Sequence, residues 1–287
     1  MTATTVSAEA EPSDVTMPAR PRPRRTSSWA TFRALLLRDL TVLDKGLGEF
    51  LANTIIQPLM LAFVFTYVFP SIGQAVGGTE GAAKFSTLLV GGMVAQSVIF
   101  QGLFRVALPM GRELDITGEL EDRVMAPSTV TTIALEKVVA GALQGLFAGL
   151  VVFPVAAFVP ATPVFLSVNW PVLLTITPLA CTTSAALGLV VGSRFEPRSV
   201  PMLASFFALP LAFFGAIFYP WDSLTPIPWL KALVLFNPLV YMSEGFRAAL
   251  TVGVPHMPLL PIYGVLIGST VLLTVIGTRS FRARVLS

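Results

Sequence analysis

Residues 138–193 contain no Asp, Glu, Lys or Arg: 56 consecutive uncharged positions. A bilayer core is crossed by about 20 apolar residues, so this run is too long for one crossing and suits two. Its middle, VPATPVFLSVNWP at 159–171, has the Pro, Ser and Asn of a turn. The halves then read as membrane spans at 132–158 and 172–191. Composition supports the same class: 54% of the 287 residues are hydrophobic and only 12% are charged, about half the charged share of a soluble domain. The single cysteine, Cys181, lies in apolar sequence, so an internal disulfide is excluded and a buried small hydrophobe is expected.

The same criterion places further spans at 50–69, 85–108, 200–219 and 260–278. Ahead of them, WATFRALLLRDLTVLDKGL carries Trp29, Phe32, Leu36, Leu40, Leu43 and Leu47 at helical spacing, with Arg33 at the edge of the stripe. This predicts a helix lying in the membrane interface. Residues 1–28, rich in Ala, Thr, Pro and Glu and then basic, read as a disordered tail. No clean apolar core and no small-residue cleavage site follow it. The remainder, 29–287, reads as one transmembrane domain.

With six spans, both termini share one side. The tail, the interfacial helix, the even-numbered loops and the C-terminus hold 16 of the 19 Lys and Arg, against Lys84, Lys231 and Arg247 opposite. The positive-inside rule assigns the crowded side to the cytoplasm. It also accounts for the net charge of +3 without nucleic acid, for which no aromatic-laced basic patch exists.

Between spans two and three the charge gathers in GRELDITGELEDRVMAPST, 111–129. Glu119 and Arg123 are four apart and able to pair, and Leu120 and Val124 share a face. A short amphipathic helix at the membrane surface and a solvated loop both fit this spacing. After span five, 220–250 has apolar bursts too short to cross, separated by Pro and charge, as in re-entrant or interfacial half-helices. Pro238 can start such a helix after Asn237. Trp229 and Tyr241 suit interfacial anchoring, and Glu244 and Arg247 are spaced to pair. Gly91 and Gly92 permit close helix packing in span two. No charge lies deep in the spans, which argues against a proton relay. The lone histidine, His256, is expected to be structural or exposed.

These landmarks resemble the ABC-2 superfamily of ABC exporter permeases, especially the drug-resistance and nodulation-factor export group. The resemblance rests on Arg112-Glu113 followed by GELEDRVMAP, then on the run Phe214 to Pro220, IPWL at 227–230, Asn237-Pro238-Leu239-Val240-Tyr241 and Glu244-Gly245-Phe246-Arg247. It implies an all-α polytopic membrane protein with six spans, an N-terminal interfacial helix (Trp29, Phe32, Arg33, Leu36), a cytoplasmic coupling helix and outer re-entrant half-helices. The coupling helix would be Glu119, Leu120, Glu121, Asp122, Arg123, Val124 and Met125, docking into a separate ATPase subunit. The outer gate would comprise Trp229, Asn237, Pro238, Tyr241, Glu244 and Arg247.

By the same resemblance, spans one, two and five line the path, making Gln57, Gln96, Gln101, Phe206, Phe207, Phe213 and Phe214 candidate pathway residues. For the glutamines an interhelical hydrogen bond fits equally, and for the phenylalanines simple packing. The sequence has no G-x-x-x-x-G-K-[ST] phosphate loop. ATP and Mg are therefore expected in the partner ATPase, two copies per transporter, with no catalytic residue, cofactor or metal in this chain. A second permease subunit, identical or not, is expected beside it in a bacterial inner membrane. The expected cargo is a lipid-like, glycolipid, polyketide or drug-like amphiphile; polysaccharide export and, further off, a proton-coupled carrier are the alternatives.

Overall fold

The computed structural model describes residues 28–74, 78–115, 130–196 and 198–285, and these form helices joined by short connections. In chain order the helices are α1 (Ser28–Lys45), α2 (Leu47–Phe63), α3 (Gly78–Asp115), α4 (Val130–Phe158), α5 (Trp170–Arg194), α6 (Val200–Phe213), α7 (Pro228–Leu233), α8 (Pro238–Leu250) and α9 (Leu259–Val285). The helical path of α2 runs on through a π-helical turn, Val64–Val68, to Ser71.

Five helical stretches are long and apolar enough to cross a membrane: Leu47–Ser71, Gly81–Met110, Thr131–Phe158, Trp170–Arg194 and Leu259–Arg284. The chain is thus an all-α, multi-pass membrane protein. The expected fifth span differs. The uniformly apolar run 200–219 does not continue as one helix: α6 stops at Phe213 and the chain turns through Phe214 and Gly215. Its 14 residues reach about 21 Å, short of a hydrocarbon core of about 30 Å.

α3 is the core of the bundle. Some 89% of its apolar window is buried, against 11% for α9 at the periphery. α4 and α5 flank α3, α8 packs across it, and α9 lies against α5. Small residues permit this density. A side chain at Gly188 of α5 would lie 2.6 Å from the Leu103 carbonyl oxygen of α3. In a bilayer such close approach replaces the hydrophobic drive between helices. Hydroxyl pairs add to it, as between Thr183 of α5 and Thr270 of α9 at 2.5 Å. Cys181 is buried within α5.

At one end of the bundle the loop before α5 is tied to the end of α8. Ser167 N donates to the Leu250 carbonyl at 3.0 Å, and Asn169 N to the Ala249 carbonyl at 2.8 Å. At the opposite end, α1 is held to α4 by Lys137 Nζ donating to Asp39 Oδ2 at 2.9 Å. Those two positions bring the helix that was expected at the interface against the third apolar span.

Candidate functional site

The most organised polar cluster among the described residues is built on α8. Asn237 caps it: its Oδ1 accepts from Leu239 N at 2.9 Å, and its Nδ2 donates to the Leu211 carbonyl of α6 at 2.8 Å. Pro238 follows at the first helical position, where no intrahelical N–H is needed. Nearly two turns on, the helical spacing of three sets Glu244 beside Arg247, with Nη1 donating to Oε1 at 2.8 Å. The three-residue spacing predicts the pair but not its depth. In the fold both side chains are 0% exposed.

Charges taken that far from water need hydrogen-bond partners beyond each other, and both side chains have them. Glu244 Oε1 also accepts from Trp221 N at 2.7 Å, while Oε2 accepts from Met257 N at 2.7 Å. Arg247 donates through Nε to the Leu88 carbonyl of α3 at 3.4 Å, and through Nη2 to the carbonyls of Ile217, at 3.0 Å, and Ala216. Burial pulls the Arg247 pKa down, and the Glu244 carboxylate pulls it back up. Five separate segments (α3, the 216–217 turn, the turn at Trp221, α8 and the chain before α9) therefore meet on one ion pair.

The approach needs a flat helix face. A Cβ at Gly91 would lie 2.7 Å from Arg247 Cγ and 2.8 Å from Arg247 N; one at Gly92 would lie 2.8 Å from Ile217 Cα. The 216–217 turn is itself bent: Ala216 has φ of +53°, the only positive value outside glycine among the described residues. The left-handed region disfavours a side chain by roughly 1–2 kcal/mol, a strain held here by the Arg247 contacts. We expect Ala216→Gly to remain within about 1 kcal/mol of wild type. Ala216→Val should lower the melting temperature in detergent clearly, because a branched side chain tolerates this φ least.

The remaining gate candidates divide. Trp229 on α7 is 69% exposed, whereas Tyr241 is 5% exposed and donates its hydroxyl to the Leu235 carbonyl at 3.0 Å. Tyr241 thus turns inward, into the protein. Trp221, absent from the sequence-derived site, braces α7: its indole N–H donates to the Lys231 carbonyl at 3.1 Å, and the Lys231 ammonium lies 4.2 Å from its ring centre.

The three glutamines also separate. Gln101 Nε2 donates to Thr54 Oγ1 across α2 and α3 at 2.9 Å. Gln57 is exposed on α2, and Gln96 is buried. All three line a small cleft between the two helices with Asn53, Thr54, Pro58, Ser97 and Phe100. Phe206, Phe213 and Phe214 are exposed on and just after α6, and only the backbone of Phe207 is described. On α1, Trp29 stacks on Phe32 with ring centres 5.6 Å apart; Arg33 is exposed and Leu36 half-buried. The expected coupling residues 119–125 lie outside the described residues, as does nearly all of the 1–28 tail. A larger cavity of about 460 Å³ lies between α3, α4, α5 and α8, with Val98, Leu150, Phe153, Leu174 and Phe246 among its apolar walls.

An apolar helical bundle with one end gathered on a buried ion pair is the architecture of a multi-pass membrane protein. The chain belongs to the ABC-2 type transporter family, whose model matches residues 31–251. It is similar to the inner membrane transport permease YadH of Escherichia coli strain K12. Identity is 27% over 218 residues, covering 75% of this chain and 82% of that protein. The permease of the same name from Shigella flexneri matches with the same identity and coverage.

Proposed function

We propose that this chain is the permease subunit of an ATP-driven exporter. It moves a lipid-like, glycolipid, polyketide or drug-like amphiphile out of the cytoplasm or inner leaflet of a bacterial inner membrane. The observation that carries this reading is the family match across 31–251, on a chain with five helices able to cross a bilayer. α6 with the turn after it supplies the sixth crossing, both termini lie in the cytoplasm, and the Glu244–Arg247 end faces outward.

Energy comes from a separate ABC ATPase, present in two copies with its own ATP and Mg, and a second permease subunit completes the path. The 119–125 segment, Glu119 to Met125, docks into the ATPase and passes its motion to α3 and α4, the two helices on either side of it. The clamped end around Trp229, Asn237, Pro238, Tyr241, Glu244 and Arg247 acts as the outer gate.

Scrambling residues 119–125 tests the coupling. The scrambled chain is expected to reach the membrane and fold, but to lose co-purification with the ATPase and permease-stimulated ATP hydrolysis. Glu119→Ala and Arg123→Ala should weaken both partially. A scrambled chain that still assembles and stimulates hydrolysis at the wild-type level would remove the coupling assignment.

A further inference from the structure

One buried polar atom in the spans has no use in the fold described above. Gln96 stands near the midpoint of Gly81–Met110 and is 3% exposed, yet its Oε1 has no hydrogen-bond partner among the described residues. An orphaned buried acceptor is costly and doubly so at mid-bilayer, where water is scarce. Gln96 lines the cleft between α2 and α3, whose free interior is about 20 Å³, room for one water-sized group.

The cleft has acceptors to spare. Pro58 has no N–H to offer the carbonyl of Thr54 one turn before it. Thr54 Oγ1 already accepts from Gln101, whose own Oε1 accepts from Arg105 Nε at 3.5 Å. No charged side chain lines the cleft. A cation would find no counter-charge and would meet Arg105 nearby; an anion would meet the unpaired Gln96 oxygen. The fitting guest is a neutral O–H or N–H donor.

The rim extends that choice to a whole molecule. Asn53 and Gln57 are exposed one turn apart on α2, beside the cleft, and Ile56, Met60 and Phe63 continue that surface as exposed apolar side chains. Polar edge and apolar track together match a polar head joined to a hydrocarbon tail.

We propose that Gln96 is the acceptor of a cargo subsite between α2 and α3 that selects an uncharged, hydroxyl-bearing amphiphile by binding one of its donor groups. This rests on the export reading above and narrows its cargo to neutral donors. The hydroxyl enters beside Gln96, the rest of the head lies along Asn53 and Gln57, and the tail follows Ile56 and Met60. A single ordered water presents the same O–H chemistry, so the experiment must separate the two sources.

The full chain in lipid nanodiscs is photolysed with a diazirine-bearing alkyl glucoside or with its permethylated counterpart, which loses every donor; Gln96→Leu separates the lost hydrogen bond from the added bulk. Labelling of the α2 and α3 peptides is then quantified by mass spectrometry. The glucoside is expected to label them about tenfold more than the permethylated probe, the discrimination of one strong buried hydrogen bond. Gln96→Leu should bring the glucoside down to the permethylated level, with an unchanged gel-filtration profile. Gln96→Asn, a milder change that keeps the amide but withdraws it, should fall between. Equal labelling by the two probes, or glucoside labelling unaffected in Gln96→Leu, means the acceptor holds water only and overturns the proposal. No ATPase is needed, so a chain that fails to assemble with one while keeping Gln96-dependent labelling loses the exporter reading and keeps the subsite.

Discussion

Arg247→Ala should destabilise the protein by about 3–5 kcal/mol, the range for breaking a buried ion pair from one side. The midpoint of SDS or thermal unfolding in detergent measures it. The loss is large because it is not confined to one bond. Removing the guanidinium leaves the Glu244 carboxylate fully buried with only the Trp221 and Met257 N–H groups. It also strands the carbonyls of Leu88, Ala216 and Ile217, which have given up water to face it.

Arg247→Lys should recover little. One ammonium on a flexible stem cannot reach the carboxylate and three carbonyls set around a planar fork. The double variant Glu244→Met with Arg247→Met should be more stable than Arg247→Ala, since no uncompensated charge is left inside. A loss under about 1 kcal/mol for Arg247→Ala would mean that water reaches the pair and that the five segments are not gathered on it.

How far this site could be read beforehand depends on which atoms do the holding. The three-residue spacing of Glu244 and Arg247 carries the pairing, because a helix sets such positions on one face. It does not carry the burial, since an exposed pair has the same spacing. Arg247's other acceptors are backbone carbonyls, and nothing in Leu88, Ala216 or Ile217 marks them as such. The glutamines show the same limit: Gln57, Gln96 and Gln101 are one residue type in two apolar runs. Only packing distinguishes the one that bridges helices, the one that is exposed and the one whose oxygen is unmet. Span lengths were legible where hydropathy and helix agree. The two part at α6, where 200–219 is apolar throughout but the helix ends at Phe213, Gly215 packs under Leu239 and the chain turns.

Gly92→Ala separates helix propensity from packing, because the two predict opposite signs. In a helix interior, Ala is favoured over Gly by about 0.8–1.0 kcal/mol, so an open site should gain. At Gly92 the added Cβ would meet Ile217 Cα at 2.8 Å and the backbone beyond it. A backbone pinned by Arg247 cannot step aside as the end of a side chain could. Overpacking of this kind costs about 1–3 kcal/mol, enough to reverse the sign, and Gly91→Ala, pressing on Arg247 N and Cγ, should behave alike. Gly264 of α9 is the internal control: nothing lies within 4 Å of its added Cβ, so Gly264→Ala should be neutral or stabilising. The Gly92 loss should shrink when Arg247 is already replaced, because the turn it presses on is then free to move, and a double-mutant cycle reads that coupling directly. If Gly92→Ala instead matches Gly264→Ala, α3 does not run flush against the 216–217 turn, and the ion pair cannot reach Leu88 and Ile217 together.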